Sequence, residues 1–155
     1  MKKTLLSLLL LISFLQVDEE NLKVVYDLTT KDIAKIELNI LKGIVAHKIY
    51  FQKDFKELDV TVVIHGGAYR YFVKDPSTTI YKNDKELIKN YAELKKRLAS
   101  LADTYDVEFL MCGVGMRHNK MQEKDIVPFV TVIPNSSIGL IERQNQGYAY
   151  IPVGD

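Results

Sequence analysis

Apolar positions along the chain switch repeatedly between two spacings. LKVVYDL, Leu22 to Leu28, is a short β-branched run of the strand type, and Thr29 or Thr30 stands where a helix cap belongs. Ile33, Ile36, Ile40 and Ile44 then keep helical spacing. They predict a helix from Lys31 to about Gln52, with Gly43 a tolerated weak point. LDVTVVIH, Leu58 to His65, is apolar with little alternation, as in strands of a parallel sheet covered on both faces. Gly66 and Gly67 turn the chain into a short helix, AYRYFV, and Lys74 to Asn83 reads as a surface loop. Leu87, Tyr91, Leu94, Leu98 and Leu101 mark an amphipathic helix with lysines opposite. Val107 to Cys112 is a third strand, followed by a turn and a short helix through Met121. PFVTVI, Pro128 to Ile133, is a fourth strand. Asn135 or Ser136 caps a helix over Ser137 to Gln146, Gly147 ends it, and YAYIPV is a fifth strand.

Strands alternating with helices in this order predict an α/β fold, a three-layer α/β/α sandwich with a mainly parallel five-stranded sheet. With 155 residues, 47% of them hydrophobic, the chain can bury one sizeable core. We expect a single domain over residues 18–155. The first residues differ in kind: Lys2 and Lys3 precede an apolar run from Leu5 to Leu15, which ends in Asp18 to Glu20. That is the shape of a secretory signal, too short to span a bilayer comfortably, so residues 1–17 are expected to direct export to the periplasm. No A-x-A cleavage site follows the run. An uncleaved N-terminal anchor is therefore the alternative, and the leader is the only membrane contact expected.

Open α/β sheets hold their ligands beyond the carboxyl ends of the strands. In this chain that edge collects Asp27, then His65 with Gly66 and Gly67, then Cys112 with Gly113 and Gly115, then Asn135 with Ser136. Cys112 is the sole cysteine, so no internal disulfide is available to it. A helix beginning near Val114 or Gly115 would favour its thiolate, Arg117 and His118 stand one turn away, and the flanking glycines leave the sulfur approachable. Free cysteines are also among the most buried residues, and the residues alone leave reactive and packed readings open. His65 is either an acid, a base or a sulfur-site neighbour, or else a structural histidine bonded to the turn. Tyr148 and Tyr150 alternate on a strand, where packing is the default.

Other chemistries find little support. Lysine and arginine number 21 against 20 acidic residues, a net charge of +1 that gives no reason to expect nucleic acid. One cysteine and three scattered histidines show no metal-ligand spacing, and no cofactor fingerprint, P-loop or G-x-S-x-G is present. We expect neither a metal nor a cofactor.

Three segments resemble a known family. IVPFVTVIPNSSIGLIERQNQGYAYIPV is similar to the C-terminal signature of the DsrE/DsrF-like family, VEFLMCGVGM to its strand-to-cysteine segment, and VTVVIHGGAYRYF to its second strand with the H-G turn. The resemblance spans about Leu22 to Val153. It implies an α/β/α fold with five strands, assembly into trimers or hexamers, and in some members a cysteine persulfide handed between partner proteins. The active cysteine of the family falls on Cys112. The reading that follows is an exported sulfur carrier, at most a sulfurtransferase-like one, with protein sulfur donors and acceptors. Cys112 would accept sulfur, the Gly113 to Gly115 backbone and Arg117 would stabilise it, and His65 would assist. The rivals are a thiol redox sensor and a non-catalytic oligomeric binding module, in which Tyr69, Tyr71 and Phe72 with Tyr148 and Tyr150 would make subunit contacts or a pocket wall.

Overall fold

Five strands form one sheet in a computed structural model that describes residues 21–155. The expected leader over residues 1–17 lies outside the described residues. The strands are β1 (Leu22–Leu28), β2 (Leu58–Ile64), β3 (Val107–Cys112), β4 (Val130–Ile133) and β5 (Ala149–Val153). Their spatial order is β4-β3-β2-β1-β5, and every neighbouring pair is parallel. The helices are α1 (Ile33–Lys35), α2 (Gly43–Gln52), α3 (Lys85–Tyr105), α4 (Gly113–His118) and α5 (Ser136–Asn145).

Handedness follows from the strand order. The chain steps from β1 to β4 in one direction, so right-handed crossovers put the intervening helices on one face of the sheet. It then returns past β1 to lay down β5, and α5 falls on the opposite face. Burial follows the same division. Val24, Tyr26 and Leu28 of β1 join Ile36, Ile40, Leu98 and Phe109 in the main core, whereas Val25 joins Val63 and Leu110 in a small second core beneath Leu140 of α5. Three layers result, as the sequence pattern implied. Tyr26 faces the main core, where burial pushes its phenol up to about 12, so it stays protonated and donates to Nδ1 of His47 at 2.7 Å.

Several boundaries differ from the sequence reading for local reasons. The first long helix starts at Ile33 and not Lys31, because Asp32 caps it by accepting the Ala34 N–H at 2.8 Å. Neither Thr29 nor Thr30 is the cap. Thr30 is fully buried, where its hydroxyl accepts the Asp32 N–H and donates to Asp155 at 2.5 Å. Between α1 and α2 the helix runs through Ile36–Lys42 with π-type bonding, which spacing cannot reveal. AYRYFV forms no α-helix; residues Gly66–Tyr71 make a 3₁₀ turn. The loop over 74–83 carries a further 3₁₀ turn, Pro76–Thr78. Tyr69, Tyr71 and Phe72 are all buried in the main core, away from the surface that the expected subunit contacts would need, while Tyr71 does line a pocket beside Arg70 and Leu87.

Candidate functional site

β3 ends in Cys112 and β4 in Ile133, and these two residues are register partners. The chain leaves β3 into α4 on one face of the sheet and leaves β4 into α5 on the other. A crevice opens where neighbouring strands diverge in this way. Cys112 sits at that divergence, as the residue that precedes α4.

Cys112 as a residue is only 6% exposed. Burial alone pushes the thiol up; against it act the N–H groups of Gly115 and Ser136 and the hydroxyls of Tyr69 and Ser136, and the net result lies below the ordinary thiol value. Cys112 makes no side-chain capping hydrogen bond of full geometry, so these groups face the sulfur at longer range. The Tyr69 hydroxyl has one proton, and it donates that proton to the Cys112 carbonyl at 2.8 Å. The groups left to oppose negative charge on sulfur are therefore the N–H of Gly115 and the N–H and hydroxyl of Ser136. One comes from the first turn of α4 and the others from the first residue of α5. Both helix starts carry partial positive charge.

The glycines have separate causes. A methyl group on Gly115 would lie 2.1 Å from the Tyr69 hydroxyl oxygen, so only glycine lets that buried tyrosine reach the Cys112 carbonyl. At Gly113 it would lie 2.9 Å from the Ile133 carbonyl and 3.1 Å from an Arg117 guanidinium nitrogen. Arg117 thus folds back over Gly113, and among the described residues it makes no ion pair. His118 is exposed at the end of α4, with no side-chain hydrogen bond among the described residues. Asn135 caps α5 by accepting the Ile138 N–H at 2.9 Å, which holds Ser136 at the thiol. Gly66 takes a left-handed φ of 58° and Gly67 packs on the loop after β1, donating to the Thr29 carbonyl at 2.7 Å. This pair shapes the turn after His65.

His65 is not bonded to the thiol. Its Nε2–H donates to Asp27 at 2.5 Å, and the other oxygen of Asp27 accepts the Tyr150 hydroxyl at 2.6 Å. The β2–β3 register ends at Ile64↔Met111, one residue short of His65 and Cys112 on their strands. Asp27, His65, Cys112 and Asn135 therefore stand on four successive strands at one edge. The sequence pattern missed Tyr69 at the thiol, the thiol-facing role of Ser136, and the bond from Tyr150 to Asp27. Period-2 spacing could have put Tyr150 and Asp27 on compatible faces, but only the strand order makes β1 and β5 neighbours. Nothing in the pattern signals Tyr69.

With this arrangement established, the family model described as the DsrE/DsrF-like family matches residues 23–153. The chain belongs to the DsrE/DsrF-like family. An uncharacterized protein of Aquifex aeolicus (strain VF5) is 35% identical over 95 residues, a match covering 56% of this DsrE-like chain. That match spans 41% of the relative's own length. A solved structure of a protein of unknown function from Methanobacterium thermoautotrophicum superimposes with a TM-score of 0.60 at 17% identity, covering 85% of this chain and 99% of the neighbour. At that identity the likeness carries the fold of the DsrE-like sheet. Among the described residues no helix is long and apolar enough to cross a membrane.

Proposed function

We propose that this DsrE/DsrF-like protein is a sulfur carrier that holds sulfane sulfur as a persulfide on Cys112. The observation that carries the reading is the placement of one thiol at the strand divergence, faced by N–H groups from the starts of α4 and α5 and shifted toward its thiolate. A thiolate is the nucleophile this chemistry needs. Its attack on the outer sulfur of a donor persulfide forms the Cys112 S–S bond, breaks the donor S–S bond and releases the donor thiolate. A second thiolate then takes the same outer sulfur, and Cys112 leaves as it began. No external oxidant or reductant enters. Export of the chain, a homotrimer or homohexamer, and protein donors and acceptors complete the proposal; a leader retained as an anchor is its variant.

The burial of Cys112 favours a second reading, a non-catalytic oligomeric binding module whose thiol only packs. One measurement separates the two: intact mass of the folded, leaderless protein after exposure to polysulfide. We expect added sulfur that dithiothreitol removes, that prior alkylation blocks and that Cys112→Ser abolishes. Loading that survives the substitution, or a native thiol that resists both sulfur and alkylator until the chain is unfolded, overturns the carrier.

A further inference from the structure

We infer that the amino edge of the sheet, with Phe55 at its tip, rests on a lipid surface. The inference stands apart from the chemistry at Cys112 and takes from the proposal above only its leader. Phe55 is the starting observation. It is 93% exposed, more than any other large apolar residue described, and it holds a left-handed φ of 58°. Left-handed backbone crowds a Cβ, so glycine or asparagine is the usual residue where a helix ends in this way. Here a phenylalanine stands three residues past α2, strained and wet at once. Among the described residues its ring stacks on no other aromatic ring. A bulky side chain is thus kept where folding alone would favour glycine.

Phe55 has apolar company. Ile49 and Tyr50, in the last turn of α2, are 48% and 62% exposed, and Ile49, Phe55, Leu58 and Tyr105 line one groove at this edge. Aromatic and aliphatic side chains held out beside a groove suit a contact in the interfacial layer of a bilayer. Lys48, Lys53 and Lys56 stand at the same edge. Asp54, Glu57, Asp59 and Asp106 stand with them, so charge is near balance and the contact is apolar, with no need of anionic headgroups.

What selects a bilayer over another occupant is where the chain enters the sheet. The Leu22 N–H donates to the Glu57 carbonyl at 3.1 Å, so β1 begins beside the turn that carries Phe55. In the sequence the apolar run Leu5 to Leu15 ends seven positions before Leu22, a stretch that reaches at most about 25 Å. A leader seated in lipid therefore brings the amino edge to the headgroups first. That run is too short to span a bilayer comfortably, and a second, weak attachment beside it strengthens the hold without any further contact elsewhere. Cys112 lies at the opposite edge, the length of a strand away, and faces water.

The chain has no tryptophan, so one introduced indole reports alone. The test places it at each edge of the full chain, as Phe55→Trp and as Ile80→Trp in the loop that leads into α3, and adds phosphatidylcholine vesicles with or without brominated acyl chains. We expect the Phe55→Trp emission to move to the blue on vesicles and to be quenched by bromine, while Ile80→Trp emits as in water. Phe55→Gly should resist urea better than the unaltered chain, because it relieves the left-handed backbone, yet partition into vesicles roughly tenfold more weakly, as loss of one buried aromatic ring predicts. Emission unchanged by vesicles, equal shifts at the two edges, or undiminished partitioning of Phe55→Gly overturns the inference. So does a Phe55→Gly chain that loses stability, which would make Phe55 a packing residue. Phe55→Trp emission already blue without lipid overturns it too, since the leader or a second copy would then cover the edge. If Phe55→Trp fails to fold, Ile49→Trp decides in the same terms. Sulfur loading at Cys112 is read in a separate assay, so the carrier stands or falls without moving this result.

Discussion

The two faces of the sheet are built to different standards. One is covered by α1 to α4 and buries a continuous core from Val24 through Phe109 to Val127. The other carries α5 alone over three buried residues, Val25, Val63 and Leu110, and leaves Ile138 and Ile141 exposed on the helix. The ionisable row at the carboxyl edge, Asp27 with His65 and Tyr150, lies on that thinner face. Burying charge in the thick core would cost several kcal/mol per ion, so polar chemistry collects where cover is sparse. The Cys112 thiol, by contrast, packs with the main core, so it is the ionisable row and not the nucleophile that the thin face carries.

Core truncation tests this division most severely. Phe72→Ala, at a fully buried site in the thick core, should cost about 3–5 kcal/mol, whereas Leu140→Ala on α5 should cost roughly 1 kcal/mol. Urea unfolding of both variants checks the ratio, and equal losses would erase the distinction between the faces. Gly115→Ala comes next. Its methyl group collides with the Tyr69 hydroxyl, so a loss of about 1–3 kcal/mol is expected, and adding Tyr69→Phe should recover part of it by removing the colliding oxygen. A double variant no more stable than Gly115→Ala would remove Tyr69 as the cause.

The smallest effect belongs to the ion pair between Glu37 and Arg97 on the outer surface of the thick side. The hydrogen bond from Arg97 holds Glu37 below its ordinary value of 4.5. A depressed carboxylate pKa contributes stability above the unfolded value, and the contribution is lost as pH falls through the folded one. Both side chains are about one third exposed, so solvent screening limits the pair to less than about 1 kcal/mol at neutral pH. Glu37→Gln should flatten the decline in melting temperature below pH 4.5. An unchanged acid limb would assign that decline to other carboxylates.

The strands were legible because their signal is local. β-branched runs such as LDVTVVI state their own conformation, and α3 announced itself by leucines at helical spacing. Cys112, His65 and Asn135 were legible as edge residues because each follows such a run. Their partners were not. Tyr69 reaches the Cys112 carbonyl across 43 residues and Tyr150 reaches Asp27 across 123, and both contacts depend on which strands are neighbours. Ile36–Lys42 was hidden for a different reason: π and α bonding bury nearly the same residues, so hydrophobic spacing does not separate them.

Among the described residues β5 pairs only with β1, which precedes it in the chain by more than a hundred residues. During synthesis β1 keeps one open edge until Ala149–Val153 emerge, after α5 has already appeared. Tyr150 joins Asp27 at that same moment. Completion of the polar row thus waits for β5, and a nascent chain stalled before residue 149 holds its thiol beside an unfinished sheet.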